Sequence, residues 1–483
     1  MPKKSKLKAS KDDIIRRLPN QWPEDLLPQI EEMVKGLGSK VAVLDDDPTG
    51  TQTVHGIPIL TRWDFPSICK ILREPGDLFF LLTNSRAYPL AEAVSINREI
   101  IGLLKQASLF TGRPISIISR SDSTLRGHFP GEVDVLVEEL GGIVNGILII
   151  PFFEEGGRLT VDNIHYVVEE DSLVPVGETE YARDISFGYQ SSNLCQWVRE
   201  KSQGRVLLED VASISLETIR LGGPDAVRQE LQNLKNNQFC VVNAVSYADL
   251  EVLVYGLLKA EAEGQRFIFR TAASFVRVRA GMHQSPLLTA SRLGIQRNAG
   301  GGLVVAGSYV GRSTEQILAA QSLPDMISLE VEVTRIINPA TQQQEIQRVA
   351  EKMNESIADN RDVLIYTSRQ LITDSDPLQT QKIGRTVSKA LVKIVQLLDR
   401  KPGWVVAKGG ITSADIAAKG LQIVRAEVLG QVLQGVPVWQ SVSNSRWPEL
   451  IYVVFPGNVG DSQALAKVIN CLRGNDLETS DVF

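Results

Sequence analysis

The feature that most constrains the fold is a repeated alternation of short apolar runs with longer helical patterns. Val41–Leu44, Leu78–Thr83, Ile115–Ser119, Gly146–Phe152, Cys240–Ala244 and Phe267–Phe269 read as strands, rich in β-branched and aromatic residues. Leu90–Leu109, Pro130–Leu140 and Leu250–Ala262 carry helical patterns between them. A β-then-α rhythm builds a mainly parallel sheet covered by helices. The rhythm breaks between Gly281 and Gly302, where His283, Ser285 and Pro286 precede Asn298-Ala-Gly-Gly-Gly302. Glycine clusters of this kind make flexible connections.

A second series follows the break. Leu303–Val305, Asp362–Tyr366, Trp404–Ala407 and Ile451–Phe455 read as strands, and Gln344–Ile357 and Gln381–Leu398 as long helices. At 483 residues the chain is too long for one ordinary core. The expected class is α/β, with two domains, each a mainly parallel or mixed β-sheet flanked by helices. The expected boundaries are 1–285 for the first domain (1–38 being an extension), 286–302 for a linker and 303–483 for the second domain.

Composition narrows the partners. A net charge of -6 argues against nucleic acid, whose phosphates need a basic surface. The Lys-rich start (Lys3, Lys4, Lys6, Lys8) lacks the apolar core of a signal peptide. No apolar stretch reaches the roughly 18 to 20 residues that span a bilayer. Cys69, Cys195, Cys240 and Cys471 are widely spaced and form no CxxC, which favours reduced thiols and a cytoplasmic location. His55, His128, His165 and His283 show no metal-binding spacing. A homo-oligomer stays open.

Three polar loops in the first half follow apolar runs. Lys40-Val-Ala-Val-Leu ends in Asp45-Asp46-Asp47-Pro48-Thr49-Gly50. In open α/β sheets ligands bind outside the carboxyl ends of strands, so the acids read as half of an active site. The plainer alternative is an acidic turn capping a helix. An Asp beside a bound hydroxyl can take its proton as the oxygen attacks, and crowding raises the pKa of one of several neighbouring carboxyls. Thr49 and Gly50 add a hydroxyl and an open backbone amide.

The second loop, Ser119-Arg120-Ser121-Asp122-Ser123-Thr124-Leu125-Arg126-Gly127-His128, suits a small polyhydroxylated acid. Arginine can hold a carboxylate bidentately, and Asp122 can accept from sugar hydroxyls. Its alternative is a solvated loop that caps the helix after Pro130. The third loop is Thr83-Asn84-Ser85-Arg86. Three such loops at three strand ends would converge on one cleft. Glu154, Glu155, Gly156, Gly157, Arg158, Asp162 and His165, followed by Glu178, Glu180, Arg183 and Asp184, either close that cleft or form exposed loops.

In the second half, glycine turns follow three apolar runs: Gly307-Ser308-Tyr309-Val310-Gly311, Lys408-Gly409-Gly410-Ile411-Thr412-Ser413 and Phe455-Pro456-Gly457-Asn458-Val459-Gly460-Asp461. A strand, a glycine turn and a helix start offer free N–H groups to phosphate. βα turns use glycine routinely, so each alone says little; together they suggest a nucleotide held by backbone. There is no GxxxxGK[ST] and no GxGxxG after a strand.

Taken together, Asp46-Asp47-Pro48-Thr49-Gly50, Asp122-Ser123-Thr124-Leu125-Arg126-Gly127, Gly157-Arg158 with Val161-Asp162, Gly307-Ser308, Gly409-Gly410-Ile411-Thr412 and Gly457-Asn458 resemble the four-carbon acid sugar kinase family. The resemblance runs from about Lys40 to Leu472. It implies transfer of the γ-phosphate of ATP, with Mg²⁺, to a hydroxyl of a sugar acid such as threonate, erythronate or an oxo relative, at an interdomain cleft. It places the sugar acid on the first domain, facing Asp46, Asp47, Arg120, Asp122, Ser123 and Arg126, with Thr49, Arg86 and Arg158 as further contacts. It places ATP on the second, at Ser308, Gly409, Gly410, Ile411, Thr412 and Gly457. Asp47 or Asp46 would be the base, and Arg120 or Arg126 would bind the substrate carboxylate. The chain departs from the family in Asp45, Pro48 and Thr51 of the first motif, and in Ile411, where the family often has Glu.

Two other readings are carried. Asp45-x-Asp47-x-Thr49, with Gly460-Asp461 later, matches a haloacid-dehalogenase-type phosphatase. Ile411 in place of Glu keeps open a non-catalytic sugar-acid sensor.

Overall fold

The computed structural model describes residues 9–295, 300–307, 311–369, 377–442, 445–457 and 459–475. Two compact units divide the chain: the first runs to Asp46 and resumes over Trp63–Gln284, and the second joins Asp47–Arg62 to the residues from Ser285 onward.

In the first unit a parallel sheet runs in the order Ala212–Ile214, Gln238–Val242, Gly146–Ile150, Phe267–Thr271, Ile115–Arg120, Lys40–Asp45, Leu78–Leu82. Every residue of Leu78–Leu82 and Gly146–Ile150 is buried, as a sheet covered on both faces requires. The register sets Asp45 beside Arg120 and Thr271 on the other side of Arg120, so the strands end together on one edge. Buried Lys40 opens the central strand. Its Nζ donates to the carbonyls of Ile71 (2.7 Å), Glu74 (3.1 Å) and Pro75 (3.3 Å), which satisfies the C-terminal end of helix Phe65–Arg73. Helix Tyr247–Ala262 starts with a capping box between Ser246 and Asp249. A small antiparallel sheet of Ala9–Ser10, Ser172–Pro175, Ile164–Glu169 and Arg158–Val161 is a feature the sequence reading lacks.

In the second unit the order is Ile57–Leu60, Arg425–Leu433, Val436–Ser441, Ile451–Phe455, Trp404–Lys408, Leu303–Ala306, Asp362–Thr367, Met326–Val331. Pairing is antiparallel as far as Ile451–Phe455 and parallel beyond it. Helix Gln342–Ala358 extends the expected one at both ends, whereas Pro377–Gln396 begins before the expected Gln381 and stops short of the expected Leu398. The expected α/β class with two sheet-based domains holds.

Asp47–Arg62, read from sequence within 1–285, packs with the second unit. Ile57–Leu60 pairs with Arg425–Leu433, and Trp439 Nε1 donates to Thr51 Oγ1 at 2.9 Å. Within the expected linker, Leu288 and Leu293 are buried in the second unit's core. Among the described residues no helix is long and apolar enough to cross a membrane.

Candidate active site

The first unit gathers acids and guanidiniums at the strand ends. Asp45 closes strand Lys40–Asp45 and has no exposed surface. Its Oδ1 accepts from Arg120 Nη1 at 2.9 Å, and its carbonyl accepts from Thr83 N (2.9 Å) and Thr83 Oγ1 (3.0 Å). Asp46 Oδ2 accepts from Ser121 Oγ at 2.5 Å. Asp46 Oδ1 lies 3.4 Å from Arg86 Nε and 3.8 Å from Arg120 Nη1. Burial pushes the Asp46 carboxyl up, against the pull of Arg86, Arg270 and Arg120, and Glu132 pushes the same way as burial.

Asp122 behaves in the opposite sense. Burial alone would raise it, but Arg126 and Arg86, with hydrogen bonds from Arg126 and Thr124, hold its carboxyl well below the usual carboxylate range. Arg126 Nε donates to Asp122 Oδ2 at 2.6 Å, and Arg86 Nη1 stands 3.8 Å from the same oxygen. The site thus contains one buried carboxyl pushed up from its ordinary value and one held far below it. Such divergence marks functional carboxyls as well as structural ion-pair networks.

The loop that carries these groups is fixed from below. His165 Nε2 donates to Ser123 O (2.7 Å), its Nδ1 accepts from Thr160 Oγ1 (2.9 Å), and Tyr189 OH donates to Thr124 O (2.7 Å). Burial lowers the His165 pKa from the ordinary 6.5 to about 4, so the ring is neutral. Gly127, at φ 138°, passes where Arg270 and Ser121 meet: a Cβ there would stand 2.6 Å from Arg270 Nη2 and 2.8 Å from Ser121 Oγ. Arg158 is half-buried, bonded to Gly156 O, with its guanidinium 5.9 Å from the Tyr181 ring.

Sequence reasoning passed over Arg270 and Glu132. Arg270 Nη1 donates to Ser119 Oγ (2.8 Å) and Glu132 Oε2 (2.7 Å) inside the cluster. Arg270 stands next to last in a strand otherwise made of Phe267, Ile268, Phe269 and Thr271. A buried cation at a strand's carboxyl end is the signal that could have found it.

The second unit holds the remaining acid. Asp47 caps the turn Pro48–Thr53, and its Oδ1 accepts from Thr49 N at 2.8 Å. The rest of that carboxylate lies against Gly410, where any Cβ would collide with Asp47 Oδ2. Gly409 adopts φ 105°, a conformation that L side chains rarely take, and its N–H donates to Phe455 O at 2.8 Å. Thr412 stands against Gly307: a Cβ on Gly307 would be 2.5 Å from Thr412 Oγ1. Gly457 O accepts from Ser313 Oγ at 3.2 Å. Ile411 is half exposed (51%). The unit therefore brings Asp47, Gly409, Gly410 and Thr412 together; Ser308 and Asn458 lie outside the described residues.

The phosphatase reading meets physical objections. Asp45 is fully buried and bound by Arg120, which leaves no open nucleophile for a phosphatase at that position. Asp461 is an exposed side chain 3.6 Å from Lys467. Among the described residues no group of three or more His, Cys, Asp or Glu could hold a metal ion.

Comparison with known proteins assigns the units. A family model described as a sugar-binding N-terminal domain matches residues 41–279, and one described as a nucleotide-binding C-terminal domain matches residues 303–465. D-erythronate kinase of Heliobacterium modesticaldum is 22% identical over 412 residues, 84% of this chain and 85% of that protein. The Haemophilus influenzae protein HI1011 superposes with a TM-score of 0.58 at 17% identity, covering 90% of this chain and 99% of its own. A Salmonella typhimurium LT2 protein provisionally called a tRNA synthase gives a TM-score of 0.62 at 16% identity, covering 88% of this chain and 98% of its own. At these identities the two solved structures share the fold alone.

Proposed function

The chain belongs to the four-carbon acid sugar kinase family and is a phosphotransferase with an alcohol group as acceptor, and from that premise we propose that it phosphorylates a hydroxyl of a four-carbon sugar acid with ATP. The observation that carries this reading is the approach of Asp47 to Gly410: an acid stands at the glycine turn of the nucleotide-binding domain.

In the proposed reaction the first unit binds the sugar acid. Ionised Asp122 accepts from its hydroxyls, and Arg86, Arg126 and the Ser123 loop set its orientation. Arg120, bonded to Asp45, fixes the acid loop rather than the ligand. The Gly409–Thr412 turn, with Gly457, takes the phosphates of ATP through backbone N–H groups. Asp47 removes the proton from the attacking hydroxyl, and its Thr49 contact keeps the carboxylate oriented. Asp46 accepts from Ser121 and lies beside Arg86 and Arg120, which ties it into the ion network of the sugar-binding unit rather than to the glycine turn.

Phosphoryl transfer is mostly positioning and charge neutralisation. The Mg²⁺ that accompanies a nucleoside triphosphate draws most of its ligands from phosphate oxygens and water, with one or two carboxylates. That suits a chain without a ready-made three-ligand group among its described residues. Asp47 is the carboxylate at the turn that would share the cation, and the cation would neutralise phosphate charge.

A coupled ADP-release assay across a panel of four-carbon sugar acids tests the reading. We expect release that depends on one or a few acids. Acid-independent release, or none with any member, would overturn it.

A further inference from the structure

The turn that follows strand Ile451–Phe455 has its carbonyls held from inside the second unit. Phe455 O accepts from Gly409 N at 2.8 Å, and Pro456 O accepts from the buried Lys408 Nζ at 3.1 Å. Gly457 O accepts from Ser313 Oγ at 3.2 Å. Gln316 Nε2 donates to Val459 O at 2.9 Å, to Asp461 O at 2.7 Å and, at a longer 3.5 Å, to Gly460 O. Ser313 and Gln316 both lie on helix Gly311–Gln321, and neither has exposed surface.

A surface turn does not need such a clamp, because water satisfies its carbonyls. Gly457, Val459 and Gly460 are all partly exposed. The clamp also costs stability. Gln316 Oε1 is buried with no hydrogen-bond partner among the described residues, and an unmade bond of that kind is unfavourable. The primary amide is suited to the task, since it offers two N–H donors without adding a buried charge.

What the clamp leaves over is amides. With the carbonyls turned in, the N–H groups of Gly457, Val459, Gly460 and Asp461 donate to no group among the described residues. Gly460 sits at φ 79°, and a Cβ there would stand 2.3 Å from Ala464 Cβ. Successive amides with a residue in the left-handed region form a concavity that takes anions.

We propose that Gln316 is a positioning residue that presents the Gly457–Asp461 amides to the phosphates of the nucleotide, a reading that rests on the kinase assignment above. Gln316 acts through the carbonyls of Val459, Gly460 and Asp461 and does not itself touch the nucleotide. Ser313 does the same through Gly457 O.

Calorimetry with ADP, and with adenosine by competition, tests this in the full chain below its melting range. Gln316→Met keeps the length of the side chain and removes its donors. It should weaken ADP about 10- to 100-fold and leave adenosine, which has no phosphate, unchanged. Ser313→Ala releases one carbonyl and should weaken ADP about 2- to 10-fold, again without effect on adenosine. Wild-type ADP affinity in Gln316→Met, or equal weakening of ADP and adenosine, overturns the proposal. Should Gln316→Met fail to fold, Ser313→Ala decides, and wild-type ADP affinity there overturns it. If wild type phosphorylates a four-carbon acid while Gln316→Met binds ADP normally, the kinase reading survives and the clamp alone is wrong. If wild type binds no ADP and phosphorylates no acid, both fall.

Discussion

The Asp47 carboxylate occupies the side of Gly410 where a side chain would otherwise begin. Gly410 is the first residue of helix Gly410–Asp415. A methyl there must move either the turn or the acid, and the acid is also tied to Thr49 N. Gly410→Ala is therefore expected to lower kcat/KM about 100-fold, since an ångström of misplacement costs that much. Steady-state kinetics with a saturating acceptor acid would check it. Unchanged kinetics would separate Asp47 from the reaction.

Asp47→Asn keeps an oxygen that can accept from Thr49 N, so the turn should persist. Turnover is expected to fall about 10²- to 10⁴-fold, the usual contribution of a positioned base. Nucleotide affinity, measured by calorimetry without Mg²⁺, should stay within a few-fold of wild type because the backbone turn is untouched. Asp46→Asn should instead raise KM for the acid, since Asp46 organises Ser121 in the sugar-binding unit.

The neutral, buried His165 makes folding pH-dependent. Its pKa falls from 6.5 to about 4 on folding. Between those values the unfolded chain binds one more proton than the folded one, so stability rises with pH through the window. His165 thus contributes fully above pH 6.5, and about 3 kcal/mol is lost as pH drops toward 4, at about 1.4 kcal/mol per pH unit. Urea titrations at pH 7 and pH 5 should show this slope for wild type and a shallower one for His165→Gln.

A structural control lies away from these residues. Arg220 makes a bidentate pair with Asp249 at 2.7 and 3.0 Å, and both side chains are buried. Asp249 also accepts from Val245 N and Ser246 N at the start of helix Tyr247–Ala262. Arg220→Met strands a buried carboxylate and should cost about 3 to 5 kcal/mol in chemical denaturation. Kinetic constants below the melting range should stay within about twofold, because distant sites act independently.

The parts of this architecture that follow from local pattern are the ones the sequence displays. Val41–Leu44, Leu78–Leu82 and Trp404–Ala407 are continuous apolar runs, and each becomes a fully buried parallel strand. The acids and arginines of the first unit sit just past such runs, so chemistry and position coincide in the sequence. What depends on distant pairing is hidden. Nothing local in Ile57–Leu60 says that its partner is Arg425–Leu433. In Arg425–Leu433 itself, Ala426, Val428, Gly430 and Val432 alternate buried with more exposed neighbours, a period-2 signal that could have been read. Arg270 escaped because its strand was ended at Phe269, one residue before the cation.

The central claim is that a phosphoryl group moves from ATP to a sugar-acid hydroxyl. Phosphorus NMR of the enzyme with MgATP and a mixture of four-carbon sugar acids tests it most directly. The account predicts a new phosphomonoester resonance that grows in step with ADP and disappears in Asp47→Asn. Growth of inorganic phosphate alone, with no ester formed, would contradict it.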